Sequence, residues 1–442
     1  MLETRGLGSK ITQQWSAFLR GQPTQEHRFV VAARQAAEAA FSELGYPLRR
    51  NEDWKYTNVA AVAQTAWQPA PPAQLVRQFD WEAVRVIIAN GRVVDVHVPP
   101  ASASKLRIMN WHDASQKYAD FLESYWNRTA RWSQHAFAAL NTMLFEDAVI
   151  VHVLPNQDLD LPVHIEIYQQ ANEQLEPQAV FPRILFVLGQ GSRASLVESY
   201  SGGSERCFTC GVVELILERG AHLSYYKVQQ EHPNSIHIVQ AYARLAQQAE
   251  LQAYIVSVGG GLVRNECDVR LEGEHGSCTL NGLYLARGKQ HIDNHTEIEH
   301  LAPACTSYEL YKGILSERGH GVFQGKIYVH PGAQKTDAKQ TNQALLLSDD
   351  AEVDSKPQLE IYADDVRCTH GATVGQLDEQ QLFYLQTRGI GREQARSLLI
   401  YAFAEDIVSR IQVEPVRLQL EDLLLAEEGL PLERELRRLS LP

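Results

Sequence analysis

Along this chain the apolar positions change period twice. From about residue 8 to 145 the spacing is mostly helical. Phe29, Val30, Ala33, Ala37, Ala40, Phe41 and Leu44 recur close to every 3.6 residues and predict a helix over Thr24 to Leu44. Gly45 caps it and Pro47 cannot continue it. Three prolines in the stretch Trp67 to Pro72 predict an irregular linker. Two short strand-like runs follow, Val84 to Ile88 and Val93 to Val98, before helical spacing returns over Ala114 to Phe145.

From about 146 to 375 the pattern shortens to runs rich in Val, Ile and Tyr with polar turns between them, as in Ala148 to Leu154, Val163 to Tyr168 and Ile184 to Leu188. The turns themselves are related. Segments opening at Leu188, Leu217, Leu245 and Leu271 share apolar and glycine positions and start 29, 28 and 26 residues apart. Recurrence at that interval predicts stacked units that bury their apolar faces against one another, with one coil of a β-helix per period. A two-sheet sandwich is the alternative.

After His370 the helical period returns. Asp378 is a fitting N-cap for a helix over Glu379 to Arg388, which Gly389 stops. A second helix spans Arg392 to Ile411 with Ala395, Leu398, Leu399, Ala402 and Ile407 facing inward, and a third covers Leu418 to Ala426. Three regions result: residues 1–145 mainly helical, 146–375 the β-core, and 376–442 helical again.

Composition excludes several classes. Of 442 residues, 44% are apolar and 21% charged, an ordinary globular balance. Basic residues number 41 against 54 acidic, a net charge of -13, which disfavours nucleic acid and anionic membrane as partners. The longest clean apolar run, Leu398 to Ala404, is too short to span a bilayer, and Met1 to Gly6 resembles no signal peptide. Six scattered cysteines make no disulfide framework, so a reducing cytoplasm is the expected location.

Candidate chemistry is sparse. Cys207 and Cys210 form a C-x-x-C without the second pair that a zinc ribbon needs, and strand alternation sends them to opposite faces. Strand alternation over His291 to His300 puts His291, Asp293, His295, Glu297 and Glu299 on one face, with Ile292 and Ile298 opposite. That face reads either as a mononuclear metal site or as a solvated surface. Gly282 to Lys289 has one residue too many for a phosphate loop, and no G-x-S-x-G elbow occurs, so neither nucleotide binding nor serine hydrolysis is expected. In Arg367 to Gly375, Cys368 and His370 point the same way on an extended chain, offering thiolate and imidazole, while Gly371, Ala372 and Gly375 leave room for a close neighbour. A plain strand-to-helix connection is the competing reading.

Longer motifs carry a resemblance. The stretch Gly325-Lys-Ile-Tyr-Val-His-Pro-Gly-Ala-Gln-Lys-Thr-Asp337, with Leu345-Leu-Leu-Ser348 behind it, is similar to the SufB/SufD family of iron–sulfur cluster assembly proteins. So is Lys356 to Gly375, continued by Gln376 to Leu385 and Arg388-Gly-Ile390. His370-Gly-Ala-Thr-Val-Gly375 matches the SufD branch, where the SufB branch reads closer to His-Glu-Ala. Glu52-Asp-Trp-Lys-Tyr-Thr57 also looks like a SufD motif.

The resemblance implies a mainly β fold, a right-handed parallel β-helix flanked by helical regions. It implies a non-enzymatic scaffold that pairs with SufB, or with itself when isolated, and binds the SufC ATPase through its C-terminal helices. A nascent iron–sulfur cluster would form at the SufB–SufD interface, with His370 and Cys368 as this chain's metal-binding residues. One histidine and one cysteine are too few ligands for a cluster, as an inter-subunit site requires. Two alternatives remain. One is an exported β-helix enzyme acting on polysaccharide. The other is a SufB-like principal scaffold, against which stands the single cysteine after residue 305.

Overall fold

The computed structural model describes residues 28–170, 176–204 and 207–427. Thr24 to His27, where the first helix was expected to begin, and the chain beyond 427 lie outside them. Two long parallel sheets run the length of the molecule, and the chain alternates between them coil by coil, forming a parallel β-helix of about seven turns. One sheet carries, in order, Val149–Val153, Arg183–Leu188, Cys207–Leu217, Ile236–Leu245, Leu262–Leu271, His291–His300, His320–Val329 and Glu352–Ile361. The other carries Val84–Ala89, Val163–Gln169, Arg193–Gly202, His222–Glu231, Glu250–Ser257, Ser277–Ala286, Thr306–Leu315, Asp337–Leu346 and Arg367–Gly375.

The repeated leucines are the ladder that aligns the coils. Leu188, Leu217, Leu245 and Leu271 are direct register partners in successive strands, and all four are buried. His300 and Val329 extend the same column. Past each strand end the chain turns through a left-handed residue: Gly191, Gly220, Gln248, His275, Ala304 and Lys335 all have φ between 57° and 67°. The N–H of each donates to a carbonyl in the next coil, Gly220 to Gln247 at 2.9 Å and Ala304 to Gln334 at 2.8 Å among them. The turn is thus conserved in backbone shape along the stack while its residue type drifts, which is why only apolar and glycine positions recur.

Both outer faces are covered. Val30, Phe41, Trp111, Trp126 and Phe137 pack on Leu185, Phe208 and Ile216 of the first sheet. The helices Arg392–Val408 and Glu414–Glu427 lay Ile400, Ala404, Ile407 and Leu420 against Tyr226, Tyr254 and Leu283 of the second. Ala402, expected to face inward, is exposed, because the buried arc centres on Ile400, Ala404 and Ile407.

The proline-rich stretch is not free of structure. Gln68 and Pro69 pair in parallel with Gln178 and Ala179, and Trp67 is buried with its indole N–H donating to the Val62 carbonyl at 2.9 Å. An edge position tolerates proline because its missing N–H is not needed there. The strands Val84–Ala89, Arg92–His97 and Leu106–Asn110 also join the stack, the latter two as antiparallel strands closing one end of each sheet.

Candidate functional site

Among the described residues no strand closes the other end of the β-helix. Glu352–Ile361 and Arg367–Gly375 each pair there with one neighbour and leave the far edge unpaired. An unpaired edge exposes a row of N–H and C=O groups that can pair with another chain. Pro357 lies within the first of these strands, a placement an edge strand permits.

Cys368 and His370 stand on that last strand, in register with Ala338 and Gln340 of the coil behind. Ala338 and Gln340 are buried in the interior, where Gln340 donates to Glu309 at 2.7 Å. By alternation Cys368 and His370 continue those two interior columns, and among the described residues no further coil covers them. Cys368 packs partly against the small cluster of Ile327, Val329 and Ala338, while His370 is exposed. A Cβ built on Gly371 or Gly375 would meet no atom within 4 Å, so the strand does offer the space the sequence promised.

Cys368 is the only cysteine that is not fully buried. Burial pushes all six thiols above the ordinary range, and in Cys368 the nearby Asp337 adds to the shift. A free thiolate therefore needs an arriving metal or base to form. Cys207 and Cys210 do face opposite sides of their strand. Both are buried because both sides are covered, and the Cys210 Sγ donates to the Phe137 carbonyl at 3.5 Å.

The face of His291, Asp293, His295, Glu297 and Glu299 is not solvated, because a segment of the N-terminal region lies over it. Arg264 holds Asp293 at 2.6 Å and Glu266 at 2.7 Å, with its guanidinium 3.7 Å from the centre of the Trp54 ring. Arg131 bridges Glu297 at 2.7 Å and Glu299 at 2.9 Å. Burial alone would raise the Asp293 carboxyl. His295, Arg264 and the Thr57 hydroxyl outweigh it and hold the group well below the usual range. The structure thus spends most of this face on ion pairs that fasten the N-terminal layer.

One corner of it is different. His291, His320, Glu352 and Asp354 line a cavity of about 840 Å³ beneath the segment from Arg49 to Trp67. Ligating atoms of His320, Glu352 and Asp354 lie within 4.8 Å of one another. The sequence reading missed this group because its members lie 32 and 34 residues apart. Stepping His291 forward by the coil period of 29 residues would have found His320.

The fold is a parallel β-helix with a cysteine and a histidine on the last rung of the described residues. Comparison with known proteins adds the family. The family model described as "SUF system FeS cluster assembly, SufBD core domain" matches residues 168–403, and "SufBD protein N-terminal region" matches 76–165. The iron–sulfur cluster assembly protein SufD of Escherichia coli is 30% identical over 418 residues, 93% of this chain and 95% of that protein. A SufBD family protein of Synechocystis is 28% identical over 87% of this chain and 88% of its own length. The SufD of Bacillus subtilis is 26% identical over 70% and 71%. The chain belongs to the SufB/SufD family of iron–sulfur cluster assembly proteins.

Proposed function

We propose that this protein is a non-catalytic scaffold subunit that pairs with SufB through its open β-helix end and helps build an iron–sulfur cluster there. His370 and Cys368 supply this chain's ligands to the nascent cluster, and SufB supplies the rest. The cluster is cargo, assembled at the interface and passed on. SufC docks on the C-terminal helices and brings the ATPase activity, while this chain binds no nucleotide.

The observation that carries the reading is the position of His370. It is exposed on a terminal strand whose outer edge has no partner among the described residues. A neutral imidazole is a good ligand for iron, and a site completed by a second chain explains why so few ligands gather on this one.

His370→Ala tests it. The expected result is a complex with SufB and SufC that assembles and melts almost normally yet yields little cluster, measured by iron and sulfide content and visible absorption. His370→Cys should recover part of the yield, since thiolate can replace imidazole on iron. Normal cluster yield from the well-folded alanine variant would end the proposal. Because His370 is exposed, a loss of stability in the range of ~0.5–3 kcal/mol typical of structural substitutions is not expected.

A further inference from the structure

On the outer face of the first sheet, successive coils place His291, His320 and Glu352 in direct register, and Asp354 stands two residues beyond Glu352 on the same face. These four residues line the cavity under the segment from Arg49 to Trp67, remote in sequence from Cys368 and His370.

A chain of hydrogen bonds runs from the Asp293 carboxylate through Thr57, His291 and His320 to Asp354. The Asp293 carboxylate only accepts, so the Thr57 hydroxyl donates to it at 2.5 Å. Thr57 Oγ1 then accepts from the Nε2–H of His291 at 2.8 Å. With its Nε2–H given to Thr57, His291 offers the lone pair of Nδ1. That lone pair accepts the Nδ1–H of His320 at 3.1 Å. With Nδ1–H so engaged, His320 turns Nε2 toward Asp354 Oδ2, 2.8 Å away. A positive centre, a proton or a metal ion, belongs between these two atoms, and Glu352 adds a second carboxylate beside them. One proton would bridge the first pair and leave the Glu352 charge standing. No ion pair to Glu352 is found among the described residues, and the Arg49 Nε that lines the same cavity is committed to the Lys55 carbonyl at 3.1 Å.

We propose that His320 Nε2 and one oxygen each of Asp354 and Glu352 bind a divalent first-row transition-metal ion of the zinc or ferrous class, at a site separate from the cluster interface. The ion balances both carboxylates. Ligand atoms about 2.0–2.2 Å from such an ion lie roughly 3–3.5 Å apart at angles of about 90–110°, slightly beyond the 2.8 Å between His320 and Asp354 and within the 4.8 Å that spans all three ligand atoms. His291 is the outer partner that fixes the His320 tautomer, as carboxylates and carbonyls do for histidine ligands elsewhere. Imidazole in the set selects against magnesium and calcium, and the remaining coordination positions face the cavity.

The test uses the full-length chain carrying Cys368→Ser and His370→Ala, stripped with chelator, so that the proposed cluster ligands take no part. Zn²⁺ alone is titrated by calorimetry, and Co²⁺ is followed by visible absorption. One ion per chain is expected, with a Co²⁺ spectrum of nitrogen and oxygen ligands and no thiolate charge-transfer band. Adding His320→Gln or Asp354→Asn should weaken binding by roughly tenfold or more. Glu352→Gln should weaken it as well, and since Glu352 is exposed that loss cannot come from misfolding. Absence of Zn²⁺ binding in the doubly substituted chain, equal affinity for Mg²⁺, a thiolate band, or indifference to His320→Gln and Glu352→Gln would each overturn the site. None of these results bears on cluster yield in His370→Ala, so the two proposals fail independently.

Discussion

Gly220 shows how single residues hold the stack in register. Its φ of +65° is left-handed, its N–H reaches the Gln247 carbonyl at 2.9 Å, and a Cβ there would meet nothing closer than 4.0 Å. The cost of a side chain is therefore backbone strain alone. Gly220→Ala should destabilise the protein by about 1–2 kcal/mol, read as a lower denaturation midpoint with an unchanged slope. Gly332→Ala, equally uncrowded but without a positive φ, should leave the midpoint in place. The same left-handed corner is occupied by Gln248, His275, Ala304 and Lys335 in later coils, so the sequence repeat fades there although the geometry persists. His370 was legible as a candidate because its motif is compact. The group of His320, Glu352 and Asp354 was not, since its members meet only through sheet register.

Among the elements, the helices after Asp378 divide into two kinds. Asp378 caps Glu379–Thr387 by accepting from the Gln380 N–H at 2.8 Å, as its position in the sequence implies. That helix buries Leu382 alone and leaves Phe383 67% and Tyr384 57% exposed. Arg392–Val408 and Glu414–Glu427 instead cover the apolar outer face of the second sheet. Removing everything after Gly375 would uncover that face, so truncation would test folding as much as docking. Paired exposed aromatics are typical anchors of an interface. Phe383→Ala with Tyr384→Ala should cost about 2 kcal/mol or more of SufC binding, roughly thirtyfold in Kd by calorimetry. The melting temperature of the isolated chain should stay within the small range expected for surface changes. Unchanged SufC affinity would move the docking surface elsewhere.

For the whole molecule the governing feature is that the two ends of the β-helix differ. Antiparallel strands close one end, and among the described residues nothing closes the other. Tyr362 and Val374, 56% and 49% exposed, stand at the open end. Tyr362→Asp with Val374→Asp should weaken association with SufB by roughly tenfold or more, because pairing there would desolvate both new charges. The fold itself should be unaffected, with an unchanged circular dichroism spectrum. Full SufB affinity would exclude this end as the interface. No helix of the described residues is long and apolar enough to cross a membrane.

The chain alone determined the coil period, the inward leucines, the alternation through His291 to His300 and the capped helix after Asp378. These depend on the covalent geometry of a strand or a helical turn, which any local stretch carries with it. Tertiary structure decided which faces meet water. The acidic and histidine face of His291 to Glu299 was open to a metal or solvent reading because its cover comes from residues such as Trp54, Thr57 and Arg131, some 166 to 236 positions away in the pairs that touch. It also decided that Cys368 and His370 lie uncovered while the other thiols are buried. Exposure at that rung follows from its place at the end of the described stack, a property of the stack and of no residue within it.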